Sequence, residues 1–252
     1  MADNAHSLKL DILPEQIRQP ITLFAERLRA DLGDNLQSIT VVGSSLTRDY
    51  RAGRSDINTV LVLDRFSLDC LNTIAGMAKP MSKKKVSVPL LMTPAYIKRS
   101  LDVFGVEFLD FQLTHRTIWG SDPFVQLRFE KRNVRLQCER ELKATLIRLR
   151  QGYIAAAAKK KMVRDIIIAA AKGLAPLLRA MLWLRDIDRP AETEATFNKA
   201  AAAFSVRTES LITAGNWRQG KIRPQEAEVK NAFASAHTAV EQLAIAVDKL
   251  EV

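Results

Sequence analysis

The chain contains 252 residues, 47% of them hydrophobic, and carries a formal net charge of +10. This length and composition support a folded core arranged as one large domain or two small ones. The two cysteines, Cys70 and Cys138, lack metal-like spacing and are typical of buried thiols in a reducing compartment. The N-terminus has no charged start followed by an apolar run, and no uninterrupted apolar stretch approaches the length of a membrane span. We therefore expect a soluble, cytoplasmic protein with no membrane contact.

The positive charge is concentrated in the second half of the chain. Residues up to Phe124 include 15 Lys or Arg and 14 Asp or Glu, whereas the remainder has 23 and 14. A basic region of this kind suits a polyanion or an acidic surface as partner, although a solvated helical surface has the same composition. Nucleic acid is a weakly supported partner, because no nucleic-acid motif accompanies the charge.

The first 124 residues alternate between helical and strand patterns. Apolar residues spaced by three and four predict a helix over 14–33, ending near Gly33. Further helices are predicted over 66–79, closed by Pro80, and over 93–105, with Thr93 as the N-cap. Runs rich in β-branched or apolar residues predict strands at 36–42, 56–63, 86–93 and 106–113, with Pro89 indicating an edge strand or a bulge in the third.

The sequence changes character after residue 124. It becomes rich in Ala, Leu, Lys and Arg, with apolar residues at helical spacing and with Gly152 and Pro176 as predicted breaks or kinks. This pattern predicts several amphipathic helices, the last over 224–250, which packs within a bundle or forms a dimer face. The predicted fold is therefore α+β: a mixed sheet with helices over residues 1–124, followed by an all-α helical bundle over residues 125–252.

One turn and the strand after it carry the residues with clear chemical potential. The first strand ends at Gly43, Ser44 follows, and Asp56 and Asn58 begin the second strand. A glycine allows phosphate to approach the backbone, and a serine hydroxyl with loop N–H groups binds phosphate oxygens. Residues two apart on a strand share a face, so Asp56 and Asn58 are expected to face the turn together. Two carboxylates there would hold Mg²⁺ ions for an in-line displacement.

This arrangement resembles the nucleotidyltransferase fold shared by DNA polymerase β and the aminoglycoside nucleotidyltransferases. The family pattern begins with a hydrophobic residue, a Gly, and then a position that is either Gly or Ser. After a spacer it continues with Asp, a hydrophobic residue, and Asp or Glu. This chain departs from the pattern only at Asn58. The specific likeness covers residues 36–124. It implies binding of a nucleoside triphosphate with Mg²⁺, and it implies the following nucleotide-binding residues: Gly43, Ser44, Ser45, Arg48, Arg54 and Ser55.

The resemblance also implies a third acidic residue on a neighbouring strand. Glu107 and Asp110 are both available in the predicted strand over 106–113, and they face opposite sides of a regular strand because they are three residues apart. Family strands of this kind favour Glu107 as the metal ligand or general base, with Asp110 as the alternative. Asp56, Asn58 and Glu107 are thus the predicted catalytic and metal-binding set.

Asn58 leaves the activity open between two classes. An amide oxygen can coordinate Mg²⁺ but brings no negative charge, so the metal site is expected to be weakened. One reading is a metal-dependent transferase that moves a nucleoside monophosphate to a hydroxyl of an acidic or phosphorylated acceptor, since a basic helical half suits a polycationic acceptor poorly. The other is a non-catalytic nucleotide-binding regulator or interaction module.

The three histidines add no metal site. None of His6, His115 and His237 pairs with a cysteine or another histidine at metal-binding spacing. His237 also lacks the preceding arginine of the helical RNases that accompany some nucleotidyltransferases. Zinc chemistry and RNase activity are therefore not expected.

Overall fold

The computed structural model describes residues 7–218, 220 and 223–251. The chain divides into two compact units. The sheet unit comprises Met1–Leu101 and Phe108–Arg128, and the helical unit comprises Asp102–Glu107 and Phe129–Val252. His6 lies outside the described residues, and the domain boundary near residue 124 stays a prediction from the sequence.

The sheet unit is built on four strands. They are β1 (Leu36–Val42), β2 (Asn58–Leu63), β3 (Leu90–Met92) and β4 (His115–Gly120), in the spatial order β3-β2-β1-β4. β1 pairs antiparallel with both β2 and β4, and β2 pairs parallel with β3. The sheet is therefore mixed and β3 is an edge strand, which confirms the predicted α+β class and the edge position indicated by Pro89.

Two helices cover one face of this sheet. Helix α1 (Glu15–Leu32) buries its apolar stripe, and helix α2 (Leu68–Lys83) does the same after its N-cap Ser67 accepts a hydrogen bond from the Cys70 amide. The stripes join the inward residues of the strands in one core, which includes the following fully buried side chains: Ile17, Ile21, Leu28, Ile39, Val41, Ile57, Leu61, Leu63 and Ile118. Burial of this apolar surface is the main force that fixes the sheet register.

The predicted fourth strand is wrong. Residues 105–113 form helix α4 (Gly105–Leu113), which follows helix α3 (Pro94–Arg99), and the fourth strand is β4 instead. The run Val-Glu-Phe-Leu-Asp-Phe-Gln-Leu is so densely apolar that it fits either period, and periodicity alone does not separate a short buried strand from a buried helix. In the structure Val106, Phe108 and Leu109 are all buried, and two adjacent buried residues are a helical pattern rather than a strand pattern.

The helical unit contains five further helices within the described residues. They are α5 (Lys131–Ala155), α6 (Lys160–Leu184), α7 (Thr193–Phe204), α8 (Glu209–Arg218) and α9 (Glu226–Asp248). Helix α6 packs against each of the other four, so it is the centre of this bundle. It buries the Arg179 side chain, which donates hydrogen bonds to the carbonyls of Pro190 and Ala191 at 3.0 and 2.7 Å.

The predicted helix end at Pro80 is wrong, and no helix break occurs at Pro176 or Gly152. Helix α2 runs through Pro80, α6 runs through Pro176, and α5 runs through Gly152. A proline removes one backbone hydrogen bond, but burial of an amphipathic face offsets that loss in a long helix. At Gly152 a Cβ would lie 3.0 Å from the Ile166 side chain, so this glycine permits close packing of α5 on α6.

Helix α6 is also long and apolar enough to cross a membrane, with a mean hydropathy of 1.6 over its most apolar window. It is the one such helix among the described residues, and it passes by length and composition only. Fifty-six per cent of that window is buried inside the structure. A buried central helix of a bundle meets the same criteria, so the expected lack of membrane contact stays a prediction.

Candidate functional site

The carboxyl end of β1 leads into a tight turn. Gly43 has a φ of +78°, a conformation that side-chain-bearing residues rarely adopt, and it opens a 3₁₀ turn over Gly43–Leu46. The Gly43 amide donates to the Thr114 carbonyl at 2.8 Å, which ties the turn to the start of β4. A Cβ on Gly43 would lie 3.8 Å from Nδ2 of Asn58. The turn thus presents bare backbone close to the Asn58 side chain.

Asp56 and Asn58 lie beside this turn. Asn58 is the first residue of β2 and is the cross-strand partner of Val42, the last residue of β1. Ile57 is fully buried in the core and forms a parallel bridge with Val86. Because successive side chains of an extended chain point to opposite faces, Asp56 and Asn58 project away from that core, and both are exposed. The structure therefore brings Gly43, Asp56 and Asn58 to one rim of the sheet.

The two serines of the turn differ in accessibility. Ser44 is exposed, and its carbonyl accepts hydrogen bonds from the amide and the hydroxyl of Thr47 at 3.2 and 3.1 Å. Ser45 is 1% exposed, and its Oγ is a buried atom that has no hydrogen-bond partner among the described residues. Only the Ser44 hydroxyl is positioned where an external phosphate can reach it without rearrangement of the turn.

The loop between the strands is held by its own hydrogen bonds. The Ser55 hydroxyl accepts from the Arg51 amide at 3.1 Å, and the Ser55 amide donates to the Arg51 carbonyl at 2.8 Å. The Arg51 guanidinium donates to the carbonyls of Arg48 and Tyr50. Arg51 and Ser55 therefore shape the loop, whereas the side chains of Arg48 and Arg54 lie on its exposed surface.

Asp56 supplies the negative charge of the rim. Burial, followed by the charge of the nearby Asp56 carboxylate, raises the pKa of Tyr50. Within residues 7–218, 220 and 223–251, the Asp56 carboxylate has no hydrogen bond or ion pair. An exposed carboxylate without a protein partner beside the Gly43 turn can interact with a cation brought by a ligand.

Glu107 occupies a different environment from the predicted one. It lies on helix α4, where its Oε2 accepts a hydrogen bond from Nε2 of Gln137 at 2.6 Å. Oε1 of Gln137 in turn accepts from the Val106 amide at 2.9 Å, so the pair ties α4 to α5 within the helical unit. Burial, followed by the charge of Glu107, raises the pKa of the Cys138 thiol to about 12. These contacts connect Glu107 to Gln137 on α5, and the strand predicted to place Glu107 beside Asp56 is a helix.

The alternative third acid, Asp110, lies on the same helix. Its carbonyl accepts hydrogen bonds from the amide and the hydroxyl of Thr114, at 3.1 and 3.0 Å, and so ends α4 just before β4. The residues of β1, β2, β3 and β4 include no aspartate or glutamate. No strand next to β2 therefore carries a third carboxylate.

The side chains at the rim do not fit a two-metal centre. Among the described residues there is no group of three or more His, Cys, Asp or Glu that could hold a metal ion. Asp56 brings one negative charge and Asn58 brings a neutral amide. Mg²⁺ is held by oxygen atoms, which come from several carboxylates or from the phosphates of a substrate. A single ion bound mainly by a triphosphate and touched by Asp56 is the arrangement that this donor set allows.

Sequence reasoning missed His115. On the side of β1 opposite to Asn58, Val42 is paired with His115, the first residue of β4. Cross-strand partners share a face, so Asn58 and His115 flank the same end of β1. Nε2 of His115 lies 2.8 Å from Oδ2 of Asp122, and the ring meets Phe124 edge-on with centroids 5.7 Å apart. No local motif marks His115, because strand pairing across more than 70 residues places it there.

The comparisons with known proteins concern the fold. The chain is similar to the solved structure of spectinomycin adenyltransferase AAD(9) from Enterococcus faecialis, which contains ATP and spectinomycin. The TM-score is 0.59 at 12% sequence identity, and the match covers 92% of this chain and 99% of that one. No protein-family model and no curated protein sequence matches the chain. At this identity the likeness shows the fold alone, and that fold is the one found in a nucleotidyltransferase.

Proposed function

We propose that this protein binds a nucleoside triphosphate at the rim formed by Gly43–Leu46, Asp56 and Asn58, and that it does not carry out two-metal nucleotidyl transfer. The observation that carries the proposal is the juxtaposition of the Gly43 turn, at φ +78°, with one unpartnered carboxylate and one amide. The likeness of the fold to an adenyltransferase solved with ATP supports nucleotide as the ligand class.

The phosphates are assigned to the turn. Gly43 lets phosphate oxygens approach the backbone, and the exposed Ser44 hydroxyl is a further donor. Arg48 and Arg54 are exposed on the loop, where the planar fork of a guanidinium suits phosphate. Asp56 would be the charged protein ligand of a Mg²⁺ ion brought by the triphosphate, and Asn58 would offer an amide oxygen to the same ion.

The absence of a second charge at the rim argues for binding without efficient turnover. Two-metal transfer needs ions about 3.5–4 Å apart that stabilise the attacking and the leaving oxygen. With one carboxylate two residues before β2 and none on the four strands, these side chains lack the charge to hold two ions. A nucleotide sensor or a nucleotide-dependent interaction module fits this donor set.

Nucleotidyl transfer is the second candidate, and the fold likeness to an adenyltransferase favours it. In that case the acceptor would be acidic or phosphorylated, because the sequence after Phe124 has 23 Lys or Arg against 14 Asp or Glu. Incubation with α-labelled nucleotides and a panel of acidic acceptors distinguishes the two candidates. Labelled adduct formed by the wild type and lost in Asp56→Ala would favour transfer over binding alone.

Calorimetry on the full chain tests the proposal. ATP, GTP, CTP and UTP are titrated with and without Mg²⁺ into the wild type, Asp56→Ala and Asp64→Ala. Asp64 is a matched control, because it is exposed and follows the other end of β2. We expect Asp56→Ala to weaken Mg²⁺-dependent binding about tenfold or more and Asp64→Ala to leave it unchanged.

The titrations without Mg²⁺ provide a second test of the role of Asp56. Without Mg²⁺, removal of a negative charge beside the phosphates should leave affinity unchanged or increase it, so the Asp56 effect should change sign with the metal. If the folded wild type binds none of the four nucleotides, the proposed function is wrong. Equal losses in Asp56→Ala and Asp64→Ala would show that the rim is not the site.

A further inference from the structure

A cleft lies on the other flank of β1, along the outer edge of β4. It has a volume of about 330 Å³, and its lining includes Lys9, His115, Arg116, Thr117, Gly120 and Asp122. All of these residues belong to the sheet unit. β4 is an edge strand, and the Lys9 amide donates to the Ile118 carbonyl at 2.9 Å, which holds the N-terminal segment against that edge.

The carboxylate in this cleft is already occupied by protein donors. Oδ1 of Asp122 accepts hydrogen bonds from the amides of Phe124 and Val125 at 2.9 and 3.2 Å, and Oδ2 faces the His115 ring. Burial alone would raise the pKa of Asp122, but hydrogen bonds from the Phe124 amide and the His115 ring lower it. Asp122 therefore stays ionised and acts as a fixed acceptor for the histidine.

This acceptor orients the imidazole. An ionised carboxylate cannot donate, so Nε2 of His115 carries the hydrogen that points to Asp122. Nδ1 is then an acceptor in the neutral ring and becomes a donor when the ring is protonated. The His115 side chain is 14% exposed, and the Phe124 ring limits its movement from the other side.

The remaining charges of the cleft are positive. Lys9 and Arg116 are exposed, and Nη1 of Arg116 donates to the His115 carbonyl at 2.7 Å, which fixes the guanidinium at the cleft. When His115 is protonated, its charge and that of Asp122 cancel, and Lys9 and Arg116 leave a surplus of two positive charges. A dianion of tetrahedral shape matches both this surplus and the forked donors of arginine.

We propose that the cleft between Lys9, His115 and Arg116 binds a dianionic oxyanion, such as the phosphate group of a small molecule. The site is separate from the proposed nucleotide rim, since neither the Gly43 turn nor Asp56 lines it. The proposal does not depend on nucleotide binding, so either can fail without the other.

Sulfate is the probe, because it is a dianion throughout the pH range in which histidine titrates. The imidazole signals of the chain's three histidines are followed by ¹H–¹³C NMR during sulfate titration, with His237 as an internal reference. We expect a saturable shift of the His115 signal as sulfate is added. The charged groups that face His115 are Asp122 from the loop after β4, Lys9 from the N-terminal segment and Arg116 from β4 itself.

Variants locate the binding. Lys9→Gln and Arg116→Gln should each weaken sulfate binding at least about threefold, because each removes one positive charge from an exposed position. Lys98→Gln is the matched control, an exposed lysine on α3 outside the cleft. Asp56→Ala should bind sulfate as the wild type does, which separates this site from the nucleotide rim.

Three results would overturn the proposal. The first is a His115 signal that does not respond to sulfate in the folded wild type. The second is equal binding by Lys9→Gln, Arg116→Gln and Lys98→Gln. The third is a shift of the His237 signal equal to that of His115, since a general ionic-strength effect would act on both rings. Lys9 is exposed and only its backbone amide bonds to Ile118, so we expect Lys9→Gln to keep the fold.

Discussion

A carboxylate lies on each flank of β1, and the two carboxylates differ in whether the protein supplies hydrogen-bond partners. On the β2 side, the Asp56 carboxylate is exposed and has no hydrogen bond or ion pair among the described residues. On the β4 side, the Asp122 carboxylate accepts from two backbone amides and faces His115. An unpartnered carboxylate can meet a cation brought by a ligand, whereas a partnered one serves to orient its neighbour. The two proposed sites are therefore distinguished by the number of protein partners of the aspartate, because the residue type is the same in both.

The largest expected effect concerns the pairing that builds the β4 flank. Gly120 has a φ of +71°, and a Cβ there would lie 1.9 Å from the Gln37 carbonyl oxygen. Gly120→Ala should therefore destabilise the fold by more than about 3 kcal/mol, measured by urea denaturation. Gly53→Ala is the control, since Gly53 has a φ of +74° but open space around it. Equal losses in both variants would mean that strain alone, and not this close approach, matters at Gly120.

The next effect tests the turn that both flanks share. Gly43→Ala should cost about 1–2 kcal/mol in the free energy of unfolding because of its φ of +78°. It should also weaken triphosphate binding about tenfold, because the methyl group takes the space of the approaching phosphate. Gly33→Ala, also at positive φ but at the other end of β1, should lose stability and keep nucleotide affinity. Wild-type affinity in Gly43→Ala would remove the turn from the site.

A smaller effect distinguishes the partnered carboxylate. Asp122→Asn should reduce stability by about 1 kcal/mol near neutral pH, because charge-assisted hydrogen bonds are replaced by neutral ones. The pKa of Asp122 is lowered by folding, so its contribution is fully present above the unfolded pKa and is lost as the pH falls through the folded value. Urea denaturation of both proteins should thus show a stability gap that narrows in acid. A difference in stability between the two proteins that increases in acid would contradict the assignment of Asp122 as an ionised carboxylate.

The smallest effect is expected at Glu107, which belongs to neither flank. Glu107→Gln keeps an oxygen that can accept from Gln137, so stability should fall by less than about 1 kcal/mol and Mg²⁺-dependent nucleotide affinity should stay within about twofold. Calorimetry and urea denaturation measure the two quantities. A tenfold loss of Mg²⁺-dependent affinity would return Glu107 to the role of metal ligand that the family resemblance implies.

Local sequence signals predicted the parts of the fold that local physics determines. The stripe from Ile17 to Leu28 predicted α1, and the β-branched runs predicted β1 and β2. The Gly43 turn and the exposed Asn58 follow from the same short stretch. The strand predicted over 106–113 is wrong because its apolar residues are too dense to show a period, and tertiary burial decides the structure there.

The cleft beside β4, which the sequence did not predict, depends on contacts that are distant in sequence. His115 reaches the end of β1 only because β4 pairs there, with Val42 and His115 as partners. Asp122 becomes its hydrogen-bond partner through the loop that follows β4. Neither pairing leaves a motif in the sequence, since a strand register is set by burial over the whole sheet.

The number of metal ions at the rim is the most direct test of a binding site with one carboxylate. Electron paramagnetic resonance of Mn²⁺ is recorded with the wild type and a non-hydrolysable ATP analogue, with Asp56→Ala as the control. The expected result is the spectrum of an isolated ion that depends on both nucleotide and Asp56. A spectrum of two coupled ions, as a pair about 3.5–4 Å apart would give, would contradict the account, and so would nucleotide-dependent Mn²⁺ binding that Asp56→Ala leaves unchanged.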